Sequence, residues 1–320
     1  MARYLVKSNQ GSFKKKFMTG VKILKQSFRT LKRYPILILP ISICLILCSI
    51  LTIYFSYYFN WNILSVKFCI LLAFLLIFAF CIMYSVSSLF MLEIIQQIET
   101  NQKISLKNAL YETFVKDFLR ALPIILVWSI IWFILLVIKV LTRSKDDRYD
   151  RKPSLENFAK TLTNFNDISI FHLTIDLLID GVRIAVFTIF PAIAWEDESP
   201  LNAVKKGFYT IKNNAVEFSS GFVQTELAIG FMLLPVCILI LFVDKFEITL
   251  SQSVWVVTII YSLAAITLYL YLQQMYTAIL YMWNMKWVKA VQKAEEEGSK
   301  IPSIYSIKKP DLLDDVPDLL

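Results

Sequence analysis

Six stretches of this chain are apolar for longer than the core of a soluble domain requires. They fall at about 35–58, 64–92, 121–142, 168–195, 221–243 and 253–282. A helix rises about 1.5 Å per residue, so each can cross a hydrocarbon layer about 30 Å thick. Backbone groups in lipid must bond within their own segment, which makes these stretches helices. The alternating polarity of a membrane β-barrel is missing. Hydrophobic residues make up 57% of the 320 positions, above the 45–50% or so of soluble domains, and the excess is confined to these blocks. The expected fold is an all-α membrane protein of six transmembrane helices. The fourth span is unusual because it carries charged residues.

Charge sets the expected orientation. Short loops rich in Lys and Arg stay cytoplasmic. If the spans alternate, 23 Lys/Arg lie on the side of the two tails and 7 on the other, which puts the N- and C-terminal ends in the cytoplasm. Loop 142–167, with its TRSKDDRYDRK segment, opposes this slightly. The first 34 residues are polar and basic, so the first span reads as an uncleaved anchor rather than a signal peptide. The net charge of +8 fits anionic lipid better than nucleic acid, since no basic module with interleaved aromatics exists.

An ungapped pattern recurs before two pairs of spans. Ser105–Phe114 reads SLKNALYETF and Ser199–Phe208 reads SPLNAVKKGF, both S-x-x-N-A-[LV]-x-x-x-F. Thr19–Phe28, TGVKILKQSF, keeps the hydroxyl, the apolar pair and the Phe. The spans then form three pseudo-repeated helical hairpins, each preceded by a cytoplasmic-side amphipathic helix, with units at about 19–104, 105–198 and 199–290. Residues 1–18 are a basic tail, and 291–320 read as a flexible acidic, proline-containing tail. Ser105, Ser199 and Thr19 are the N-cap candidates, with Pro200 at the first helical position. The first copy surrounds an apolar face with Lys22, Lys25, Arg29, Lys32 and Arg33. The third carries Lys205, Lys206 and Lys212 beside Leu201, Val204 and Phe208. Such helices suit the headgroup plane, cations toward anionic lipid; packing against the span ends is a compatible reading.

One constellation lies at membrane depth. His172, Asp176, Asp180 and Arg183 occupy one face of the fourth span. Ionisable groups there are costly and face a partner or a hydrated cavity. Asp180 and Arg183 can pair, which leaves Asp176 without a partner in the helix. Glu226, Gln224, Gln273, Gln274 and Lys139 are candidates for the same interior. The stripe is either a structural salt-bridge network or the wall of an ion-handling path. Glu196, Asp197 and Glu198 precede Ser199, as helix N-terminal charge or, alternatively, a divalent-ion site. The five cysteines lie in apolar blocks without a CxxC pair and read as packing residues. Only seven glycines occur, so close glycine-mediated helix packing should be scarce. No catalytic motif, cofactor motif or metal-ligand spacing is present.

The repeated pattern, PAIAWEDESPLNAVKKGF and the opening SFRTLKRYPILILPI resemble an uncharacterised family of six-span membrane proteins. That family is akin to the membrane domain found beside glycerophosphodiester phosphodiesterases. Pro191, Glu196, Ala203 and Gly207 carry the likeness. The resemblance implies a six-span fold and no particular activity; the phosphodiesterase domain itself is not in this chain. The expectation is a non-enzymatic membrane scaffold or lipid-associated protein, without cofactor, its partners the bilayer and anionic lipid. A small-solute or ion transporter using the polar stripe is the alternative. The acidic dileucine pattern at Asp315–Leu320 leaves room for a protein partner at the tail.

Overall fold

A computed structural model describes residues 13–60, 63–141, 170–308 and 310–313. Among these residues every regular element is helical. Helix α1 covers Phe13–Arg33, and a short 3₁₀ turn at Pro35–Ile38 leads into α2, Leu39–Ile53. Helix α3 is Val66–Glu99. Helices α4 (Leu106–Glu112) and α5 (Phe118–Leu141) join through a π turn at Thr113–Asp117. Then come α6 (Ile170–Glu196), α7 (Pro200–Asn213), α8 (Ala215–Phe246) and α9 (Gln252–Glu296).

Six helical segments are long and apolar enough to cross a membrane: Pro35–Ser56, Val66–Glu99, Leu106–Lys139, Leu178–Glu196, Ala215–Phe246 and Gln252–Glu296. The chain is therefore read as an integral, multi-pass membrane protein. The fourth of these segments carries Asp180 and Arg183 within it. Pro191 and Pro235 lie inside α6 and α8, and both helices run through them. Loop 142–167 lies outside the described residues, as do residues 1–12 of the basic tail.

Helix α9 organises the bundle. It packs on α8, α6, α2 and α1, while α3 packs on α2, α5 and α6. Water is not the driving solvent here, so close packing and interhelical hydrogen bonds hold the helices together. Glycine permits close contacts at a few places. A Cβ on Gly221 would meet the Tyr276 ring at 2.1 Å, and one on Gly207 would meet Ile189 at 2.8 Å. Buried hydroxyls mostly satisfy themselves along their own helix, as when Ser85 Oγ donates to the Cys81 carbonyl at 2.7 Å. The cysteines are free, with Cys44, Cys48 and Cys81 buried.

Helix α9 continues to Glu296 as a charged extension of the last span, and the described residues among 302–313 pack on the bundle. Ile304, Tyr305, Pro310 and Leu312 are buried. The Tyr305 ring stands edge-on to Trp283, with centroids 5.7 Å apart. Its hydroxyl donates to Glu217 at 2.6 Å, and Trp287 Nε1 donates to the Pro302 carbonyl at 3.0 Å. Aromatic residues on the extension of α9 thus hold a segment whose polar composition predicts no order.

Candidate functional site

The polar stripe of α6 is built into the bundle. Asp180 and Arg183 pair within the helix at 2.8 Å. Arg183 is 9% exposed and reaches α9. Its Nη2 donates to the Tyr269 hydroxyl at 3.1 Å and to Gln273 Oε1 at 3.0 Å. The guanidinium also stands 5.4 Å from the Tyr269 ring centroid, within cation–π range. Helix α8 closes the group: Glu226 accepts from the Tyr269 hydroxyl and, at 3.3 Å, from Gln273 Nε2. Three helices thereby share one network of two carboxylates, one guanidinium, a phenol and an amide.

Asp176 is not unpartnered, as a single-helix reading has it. Lys139 of α5 donates to both its carboxylate oxygens, at 2.7 and 3.0 Å. Lys139 lies 37 positions earlier, so only the tertiary fold brings the pair together. His172 falls on the first turn of α6, its side chain outside the described ones. The other candidates separate. Gln224 donates to Ser220 Oγ at 2.7 Å in α8, and Gln274 lines a different cavity with Tyr84, Ser87 and Ser88. Gln273 borders a further small cavity with Thr225 and Tyr276, between α6, α8 and α9. Sequence reading did not reach Tyr269: α9 carries four tyrosines from Tyr269 to Tyr281, and nothing in their spacing singles out the one that meets Arg183.

A second group of charges joins α6 to α7. Lys206 Nζ donates to Glu196 Oε2 at 2.6 Å and pairs with Glu198 Oε1 at 2.7 Å. Tyr281 donates to the other oxygen of Glu196, and Arg120 pairs with Asp197. All three acids of the EDE cluster therefore have protein partners. Lys206, read from sequence as a lipid contact, is spent on these carboxylates instead. Its hydrogen bond holds the Glu198 carboxyl below its ordinary range. Burial alone would lower the Lys206 ammonium, but the two carboxylates outweigh it and raise its pKa.

The motif-bearing helices share a burial pattern. Its fifth and ninth positions are buried in every copy: Ile23 and Ser27, Ala109 and Thr113, Ala203 and Gly207. Ser27 and Thr113 donate to the fifth-position carbonyls at 3.0 and 2.8 Å. The tenth-position residues Phe28, Phe114 and Phe208 all point outward. Ser105 caps α4 by accepting from the Asn108 N–H at 3.4 Å. Ser199 holds the N-cap position of α7 without a side-chain cap bond. Thr19 lies inside α1, which begins at Phe13, and so does not hold an N-cap position. The middle copy is no separate surface helix either: it runs through the π turn into the third span.

Cations line the outer side of α1. Lys25, Arg29, Lys32 and Arg33 are exposed and Lys22 is half-buried, while Thr19, Ile23, Ser27 and Thr30 face the bundle. On α7, Lys205 and Lys212 are exposed beside Leu201 and Phe208. Among the described residues, no cluster of three or more His, Cys, Asp or Glu side chains could hold a metal ion.

No family model, curated protein or solved structure matches this chain. Function therefore rests on the geometry of its own residues.

Proposed function

We propose that the chain is a non-enzymatic membrane protein of scaffold or lipid-associated type, organised as three related hairpin units, whose cationic helices gather anionic lipid headgroups. The observation that carries this reading is α1. One face is buried against the bundle, and the other presents Lys25, Arg29, Lys32 and Arg33 together with exposed Phe28. A cation at an anionic leaflet contributes about 1 kcal/mol, so four neighbouring cations suffice to enrich such lipids in the adjoining shell. Helix α7 offers a smaller version in Lys205 and Lys212, with Leu201 77% and Phe208 67% exposed. The common burial pattern of the motif copies supports the three-unit organisation, and the basic bias of the tail side supports a cytoplasmic setting.

The test is reconstitution into nanodiscs containing one anionic lipid in ten, followed by native mass spectrometry of the retained lipids. The native chain should retain anionic lipid several-fold above its bulk share, and the Lys25→Gln, Arg29→Gln, Lys32→Gln, Arg33→Gln variant should not. Retention that tracks bulk composition in both proteins overturns the reading.

A second reading, passage of a small solute or ion, draws on the same polar network. Gln273 belongs to the Arg183 network and also borders the cavity between α6, α8 and α9. Flux through vesicles holding the native chain, abolished by Asp176→Asn with Asp180→Asn, would establish that alternative; vesicles as tight as protein-free ones would dismiss it.

A further inference from the structure

The seated tail ends in a short sequence that occurs twice. Residues 310–313 read Pro-Asp-Leu-Leu, and residues 317–320 read Pro-Asp-Leu-Leu again, seven positions on. The first copy has a built seat. The Glu99 carboxylate at the end of α3 accepts from the Asp311 N–H at 3.0 Å and from the Leu312 N–H at 3.2 Å. Lys286 of α9 donates to the same carboxylate at 2.6 Å and fixes it in place. On the opposite side Gln26 of α1, 4% exposed, donates to the Leu312 carbonyl at 2.6 Å. The Leu312 side chain enters the main apolar core at 6% exposure.

We propose that this seat on α1, α3 and α9 is a recognition site for the sequence Pro-Asp-Leu-Leu, and that residues 317–320 are its alternative occupant. Three of its contacts read backbone: two N–H groups and one carbonyl. The proline contributes a fixed φ, and the leucine after the aspartate fills the apolar socket. Those features are identical in both copies. Tyr305 anchors the chain upstream in either register, and the connection from Ser306 lengthens from four residues to eleven. Closure of a flexible loop costs only slowly more with length, so the shifted register is within reach. Charge ranks the two. Lys308 pairs with Asp311 at 3.1 Å, whereas Asp315 stands at the equivalent place before Asp318 and repels it. The first copy is resident and the second its weaker substitute. This inference is independent of the lipid reading.

The test uses the full chain in detergent micelles and a fluorescent synthetic peptide of residues 307–314, read by anisotropy. The native protein should bind it poorly, because its own tail holds the seat. Leu312→Asp with Leu319→Asp, which disables both copies, should bind it saturably and at least ten-fold more tightly. Leu312→Asp alone should fall clearly below the double variant, since the second copy moves in. Adding Glu99→Gln to the double variant should remove most of the binding, and a peptide with Asp in place of the first Leu should not bind. The proposal is overturned if the double variant binds no better than the native chain, if the single variant equals the double, or if Glu99→Gln changes nothing. A second measurement needs no tail variant: excess peptide should speed hydrogen exchange of the Asp311 and Leu312 amides in the native chain. Unchanged exchange at saturating peptide refutes the site.

Discussion

Arg183 shows how one side chain can fix three spans. Its partners lie on its own helix, at Asp180, and on α9, at Tyr269 and Gln273; the last two carry the network on to Glu226 of α8. Removing one partner from a buried ion pair strands the other charge, at about 3–5 kcal/mol, whereas replacing both by apolar groups can be nearly neutral. Arg183→Leu should therefore lower the thermal unfolding midpoint in micelles sharply, and Arg183→Leu with Asp180→Leu should recover part of that loss. A double variant less stable than the single would refute the stranded-charge account. The Asp180–Arg183 pair is legible in sequence because residues three apart share a helix face. Lys139 is a candidate for the same interior by position alone, but its pairing with Asp176, like that of Tyr269 with Arg183, is not legible, since pairing across helices depends on rotations that an all-round apolar span does not encode.

At the scale of elements, the joint between α6 and α7 is a charged elbow. Asp197 takes a left-handed φ of 53° between the helices, a conformation that Asp and Asn tolerate better than most. Asn101, between α3 and α4, has the same φ, so a left-handed residue stands at both places where a span hands over to a motif-bearing helix. Lys206 clamps the elbow through Glu196 and Glu198. The Glu198 carboxyl is held below its ordinary value, so its contribution is present above the unfolded carboxylate pKa of about 4.3 and fades as pH falls through the folded value. The Lys206 ammonium is raised, so its contribution is present below about 10.4 and fades as pH climbs through the folded value. The unfolding midpoint should fall at both extremes, and Lys206→Met should flatten both limbs. A Lys206→Met profile parallel to the native one would show that the clamp does not set it. Hydroxyl, alanine and phenylalanine spacing makes the motif readable, and the buried fifth position follows from it. Whether each copy lies free or continues into a span is not readable. That depends on the residues after it: Asn214 breaks α7 from α8, while Thr113–Asp117 carry α4 onward as helix.

Taken as a whole, the molecule is fixed by two kinds of information. Span count follows from the thickness of the bilayer and needs no knowledge of packing, so the six long apolar segments are plain in the sequence. The association of those spans depends on close fits such as Gly221 beneath Tyr276 and on polar ties that hydropathy conceals. The tail belongs to the second kind. Its prolines and acids predict a loose end, yet Glu99, Gln26 and Trp287 hold Asp311, Leu312 and Pro302 against α3, α1 and α9. Those residues follow the six described spans along the chain, whereas α1 and α3, which supply Gln26 and Glu99, precede most of them. Two walls of the seat are therefore synthesised well before the segment that fills it.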